Sequence, residues 1–318
     1  MNNKYPMTKE NYLELKEIYP DFVWKPQFMK VLNVVSPFIR RFPLNIDYSS
    51  EIPQDGACVF ISNHTNFYDS LVCNETLKSQ KYFCLAGDEN YRQKDHIGPR
   101  GTITGLSFEA RGVCWVDRDN PASRQKSSEW VRDTLSKGTS IGLSPEGIWC
   151  LEDNKLALHF GYGLVKSIIE ASKSNKVYIV PVVIDYNYKT INKIKSADVK
   201  VCPSLLITKD MDYKSLTSRL EDIFWTERWN QIEENAKQDP HSKKITIANE
   251  DYYVSPRTTL SKDDWDRHLA YSKAQYKLDW EKETQYELQT KEQKLQKEME
   301  PIIRPNGSSY VRSLCKKK

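Results

Sequence analysis

Short apolar runs alternate with longer amphipathic segments through the first two thirds of this chain, and the two periods predict different elements. Runs of β-branched and aromatic residues predict strands at Ala57–Ile61, Tyr82–Ala86, Val113–Val116, Ser140–Leu143, Val177–Ile184 and Val199–Val201. Between them, helical spacing predicts helices over Asn66–Lys78, Ala122–Lys137, Leu156–Lys173 and Lys214–Asn235. Pro121 suits a first helical position and Gly138 a helix end, so the second of these helices has a start and a stop with physical causes. Strands alternating with crossover helices predict the α/β class: a single sheet flanked by helices, with helical N-terminal and C-terminal extensions. The expected divisions are 1–42 for an N-terminal helical segment, 43–208 for the α/β domain and 209–318 for the C-terminal extension. In that extension glycine is almost absent until Gly307, and Trp265, Leu269, Tyr276 and Trp280 mark one face of a helix or hairpin within Lys262–Met299.

Composition narrows the function classes. Of 318 residues, 39% are apolar and 28% charged, which predicts a folded protein rather than a disordered one. The 47 basic and 43 acidic residues leave a net charge of +4, too balanced for a protein that coats a nucleic-acid backbone, so no nucleic-acid partner is expected. The seven cysteines contain no CxxC pair and have no histidine at zinc-ligand spacing, so they read as reduced thiols and no metal is expected. The N-terminus has no apolar core of the secretory type, which predicts a cytoplasmic protein. The stretch Phe28–Phe42 is broken by Lys30, Arg40 and Arg41 and is too short to span a bilayer. The longer stretch Phe22–Phe42 mixes aromatics, aliphatics and cations, which suits either an anchor at a membrane surface or a helix that covers the sheet.

The sharpest chemical signal is Asn63-His64-Thr65-Asn66-Phe67-Tyr68-Asp69, at a strand-to-helix junction. A spacing of five does not stack two side chains on a regular helix, so His64 and Asp69 meet only if His64 lies in the loop and Asp69 in the first helical turn. The carboxylate then accepts from one imidazole nitrogen and leaves the other free to take a proton. Further along stand Gly112–Arg118, Leu143-Ser144-Pro145-Glu146-Gly147 and Ile179–Val183, each at or near a predicted strand end, where open α/β sheets gather ligands. Ser144 is not a nucleophile elbow, because Glu146 stands where that turn needs glycine.

In this order and spacing, the four segments resemble the glycerolipid (lysophospholipid) acyltransferase superfamily, whose prototype converts 1-acyl-glycerol-3-phosphate to phosphatidate. The resemblance runs from Pro43 to Asp185. It implies the glycerol-3-phosphate acyltransferase-like fold, with His64 of the NHxxxxD block as general base, Asp69 as its orienting partner, and Asn63 as a substrate-binding residue. It further implies that Asp117 and Arg118 hold the polar head of the acceptor, that Pro145, Glu146 and Gly147 position it, and that Pro181 marks the fourth block. The chain departs from the family in two places. Ile148-Trp149 replaces the usual Thr-Arg after Glu-Gly, and Gly87-Asp88-Glu89 stands where many relatives carry a lysine. An indole cannot chelate phosphate as a guanidinium does, which leaves Arg111, Arg118, Arg124 and Lys126 as candidate substitutes and widens the acceptor from lysophosphatidate to other lysophospholipids or glycolipids.

The expected activity is transfer of a fatty acyl group from acyl-CoA or acyl-carrier protein, as co-substrate and without a further cofactor, to a lysoglycerolipid hydroxyl in phospholipid biosynthesis. The expected setting is the inner face of the membrane, with a peripheral attachment. The alternatives are a catalytically inactive lipid-binding protein on the same fold and a thioesterase-like hydrolase in which water replaces the acceptor.

Overall fold

A computed structural model describes residues 9–65, 68–87, 105–117, 120–147, 160–190, 193–238, 243–247 and 250–254. Arg118, Trp149, the Asp88-Glu89 pair and the whole Lys262–Met299 segment lie outside these residues. The chain opens with helix α1 (Lys9–Ile18), the short strand β1 (Phe22–Val23) and helix α2 (Met29–Arg40). There follow β2 (Leu44–Tyr48), β3 (Ala57–Ser62), α3 (Asp69–Thr76), β4 (Tyr82–Gly87), a helix α4 described over 105–111, and β5 (Val113–Val116). Then come α5 (Pro121–Ser136), β6 (Ser140–Leu143), α6 (Tyr162–Ala171), β7 (Val177–Thr190), β8 (Lys193–Val201), β9 (Leu205–Ile207) and α7 (Tyr213–Gln238). A separate antiparallel hairpin of β10 (Lys243–Ile247) and β11 (Glu250–Val254) follows.

One sheet runs in the order β1-β5-β4-β6-β3-β7-β8-β2, with β9 paired to β7. The strands β5, β4, β6, β3 and β7 are parallel, so their C-terminal ends share one edge, whereas β1, β8 and β9 pair antiparallel. Side chains alternate across the sheet, as the two-residue period of a strand requires. On β3, Ala57, Val59 and Ile61 enter one core, and Cys58 and Phe60 enter the other. The first core is closed by Trp130, Leu135, Ile168, Phe224 and Trp225 of α5, α6 and α7. The second is closed by Val72 of α3, Leu77 just beyond it and the chain around Phe42. With both faces covered, β3 and β6 are buried at every position, which is why they read as unbroken apolar runs.

The predicted boundaries of α5 have the expected causes. Asn120 Oδ1 accepts from the amides of Ala122 and Ser123 at 3.0 and 3.4 Å, Pro121 fills the first position, and Gly138 takes a left-handed φ of +81° after the helix. Other boundaries differ. The strand expected to stop at Ile184 runs on to Thr190, because Asp185-Tyr186-Asn187 continues the alternation with only Tyr186 turned into the second core. The C-terminal extension, expected to be helical, opens with α7 but then forms the β10–β11 hairpin. Among the described residues no helix is long and apolar enough to cross a membrane.

Candidate active site

Strand β3 carries the chain to the C-terminal edge of the sheet, and the next residues are pinned from both neighbouring strands. The Asn63 side chain donates from Nδ2 to the carbonyl of Ile184 at 2.9 Å and accepts at Oδ1 from the Ile184 amide at 2.8 Å. Asn63 is wholly buried, so its amide acts as one more rung between β3 and β7 just as the backbone turns out of the sheet. From the other side, the Glu146 carboxylate, also wholly buried, accepts the His64 backbone N–H at 2.7 Å. The loop bearing His64 is therefore clamped between the ends of β7 and β6.

Asp69 is the first residue of α3, a position where the helix dipole favours a carboxylate. Its Oδ2 lies 2.8 Å from His64 Nδ1 and accepts the Thr65 amide at 2.7 Å, while its Oδ1 accepts the Tyr186 hydroxyl at 2.6 Å. A carboxylate in this setting only accepts, so Nδ1 of His64 carries the shared proton and Nε2 is the basic nitrogen of the neutral ring. The Asp69 side chain is 3% exposed and that of His64 19%: the orienting group is sealed off and the imidazole reaches the surface of a cavity.

That cavity, of about 120 Å³, begins at His64, Asp69, Ser144 and Gly147 and runs under α3 and α4 along the second face of the sheet. Its walls are mostly apolar, with Phe60, Leu77, Phe108, Leu143 and Val182 among them. Gly147 has a φ of +71° and open space where a side chain would start, so the turn presents bare backbone to the cavity. The ring of Tyr82, the first residue of β4, lies against Gly142 of β6, with the Arg111 guanidinium stacked 4.0 Å from its centre. Arg111 is buried and donates from Nε to the Asn74 side chain, from Nη1 to the Gln80 carbonyl at 3.2 Å and from Nη2 to the Asn74 carbonyl at 3.0 Å. Its guanidinium lines the same cavity as His64 but directs donors from all three of its nitrogens to Asn74 and the Gln80 carbonyl, which argues against its standing in for the missing phosphate arginine.

His64, Asp69 and Gly147 line the cavity, with Asn63, Glu146 and Pro145 behind them; the Pro145 carbonyl accepts the Gly161 amide at 3.2 Å. Asp117 directly follows β5, and its amide donates to the Ser123 hydroxyl oxygen, 3.0 Å away, at the start of α5. Ser144 Oγ lies 3.2 Å from Ser62 Oγ, and burial pushes the thiols of Cys73 and Cys84 up to about 12, leaving neither as a nucleophile near neutral pH. Sequence reasoning missed Tyr186, although its alternation with Val182 and Ile184 places it on the face that carries the cavity.

The whole of this site apart from Tyr186 falls within residues 44–185, which match the model of the family described as Acyltransferase. This segment is an acyltransferase domain. The match spans a little under half of the chain and takes in the four sequence blocks. Among solved structures, this chain is similar to the crystal structure of the 1-acyl-sn-glycerophosphate (LPA) acyltransferase PlsC from Thermotoga maritima. That similarity has a TM-score of 0.46 and 14% identity over 64% of this chain and 79% of that one. No curated protein matches the chain significantly.

Proposed function

We propose that the enzyme transfers a fatty acyl group from acyl-CoA or acyl-carrier protein to a hydroxyl of a lysoglycerolipid, either lysophosphatidate or a related lysophospholipid or glycolipid. The observation that carries this reading is the His64–Asp69 pair, 2.8 Å apart, at the mouth of a cavity with mainly apolar walls. An alcohol is a poor nucleophile towards a thioester until its proton leaves, and a positioned base supplies roughly 10²–10⁴ in rate. The acceptor oxygen bonds to the thioester carbonyl carbon as its proton passes to His64 Nε2. The tetrahedral oxyanion then collapses, the C–S bond breaks, and the thiolate recovers that proton from Nε2. The products are an ester and a free thiol, with no covalent acyl-enzyme and no cofactor beyond the thioester.

Asp69 holds the ring so that Nε2 faces the acceptor, and the cavity takes the acyl chain. Asn63, Pro145, Glu146 and Gly147 keep the acceptor side of the site in place. Asp117, which follows β5, and Arg118, next to it in sequence, are the candidates to receive the acceptor's head group. On α2, Val31, Val34 and Phe38 are 57%, 66% and 75% exposed, an apolar face that suits contact with a lipid surface and a peripheral place on the inner face of the membrane.

The test is thiol release from long-chain acyl-CoA and from acyl-carrier protein, with and without a panel of lysolipids, for the wild type and His64→Ala. Release that needs an acceptor and vanishes in the variant supports the transferase. Release indifferent to the acceptor makes the protein a hydrolase, and lipid binding without release from any pair overturns the catalytic reading.

A further inference from the structure

We infer that Tyr186 is a positioning residue of the reaction: its hydroxyl fixes the plane of the Asp69 carboxylate and, through it, the direction of His64 Nε2. The inference rests on the transferase reading above. The Asp69 oxygens are divided between two parts of the fold. Oδ2 is held by His64 Nδ1 and the Thr65 amide, both from the loop after β3, at 2.8 and 2.7 Å. Turning the carboxylate about its last torsion, which is broad and soft for aspartate, moves both oxygens together, so a bond at the second oxygen adds to the resistance that the bonds at Oδ2 supply. The Tyr186 hydroxyl engages the other oxygen at 2.6 Å from β7, a strand built from chain more than a hundred residues away. Contacts from two separately anchored elements define the plane of the carboxylate.

Tyr186 is itself held firmly. It is 2% exposed, and its ring stands edge-on to Phe42 at 6.0 Å and 81°. Phe42 also stands edge-on to Tyr68, the residue before Asp69, at 5.3 Å and 85°. Arg40, at the end of α2, lies 5.2 Å over the Phe42 ring and pairs with Glu75 of α3 through contacts of 3.0 and 3.2 Å. The phenol therefore has little freedom to follow a moving carboxylate, and the carboxylate follows the phenol. A phenylalanine would fill the same space among Ile184, Phe42 and Tyr68, so packing alone does not account for the hydroxyl.

The test uses Tyr186→Phe in the full chain, with steady-state kinetics in the acceptor-dependent transfer assay. The expected result is a kcat lower by about 10- to 100-fold, the range for losing a hydrogen bond to a charged group, with KM for donor and acceptor unchanged. In a His64→Ala background the same substitution is expected to cost less than about threefold, because a positioning residue has nothing left to position. Phe42→Leu, which loosens the ring but keeps the hydroxyl, is expected to give a smaller fall in kcat of the same kind. A Tyr186→Phe enzyme with wild-type kcat overturns the inference. So does an equal loss in both backgrounds, or a loss that tracks only the melting temperature. A wild type with no acceptor-dependent transfer would sink the transferase reading instead, an outcome that the first measurement separates from the others.

Discussion

Replacing Asp69 by asparagine removes a charge while preserving the shape of the site. The amide oxygen can take the place of Oδ2, still accepting from His64 Nδ1 and Thr65, and the amide nitrogen can face the Tyr186 hydroxyl, which then accepts. In the proposed reaction, what is lost is the attraction between the carboxylate and the imidazolium that forms as the acceptor gives up its proton. At 2.8 Å, unit charges in an effective dielectric of about 20 attract by about 6 kcal/mol. The imidazole side chain is 19% exposed and the asparagine keeps a neutral hydrogen bond, so we take about half of that as lost in the transition state. About 3 kcal/mol, at 1.36 kcal/mol per tenfold, is a fall of about 10²-fold in kcat. The assay is acceptor-dependent thiol release, with KM for both substrates measured beside kcat and melting temperature as the control for folding. A kcat within about threefold of the wild type, in a variant that melts like the wild type, would refute the assignment of Asp69 as the partner of the base. A change confined to KM would refute it as well.

Two further predictions concern stability and the cavity. Gly142→Ala sets a methyl 2.7–2.8 Å from the Tyr82 ring, which Arg111 stacks from above, so the ring must move into the cavity at a cost of about 1–3 kcal/mol. A lower melting temperature and a shift towards shorter acyl donors are expected, and unchanged values of both would mean that Tyr82 does not close the cavity. Asp212→Ala removes the carboxylate that accepts the Ser215 amide at 2.8 Å at the start of α7, an N-cap worth about 1 kcal/mol. Bonds from the Ser215 backbone hold the Asp212 carboxyl below its ordinary value of 3.8, so this contribution is full above pH 3.8 and fades as the pH falls from there through the lowered folded-state value. Denaturant titrations of wild type and variant should differ at pH 7 and converge in strong acid; a constant gap would show that the cap acts by something other than its charge.

Much of the sheet was legible in the chain because both of its faces are covered, and a strand buried on both sides announces itself as an apolar run. That is how β3 through β7 stood out, while β2, largely exposed at the sheet's edge, did not. The pairing of His64 with Asp69 was also legible, since the spacing allows the contact across a loop and the first helical turn and the resemblance of the NHxxxxD block implies it. Periodicity, however, reports which side of an element is buried and says nothing of which element lies beside it. The order β5-β4-β6-β3-β7 decided that Glu146 and Ile184, 82 and 121 residues from their partners, would clamp the loop at His64 from its two sides.

The sequence by itself determined the α/β class, the strand-to-helix junction that bears His64, and the four segments that resemble acyltransferase blocks. Only the tertiary structure decided that Glu146 braces a backbone amide, that Arg111 lines a cavity, and that Tyr186 reaches Asp69 across 117 residues of chain. The reason is physical: a local pattern is set by the free energy of burying one face, whereas contacts between distant residues exist only once the sheet has chosen its neighbours.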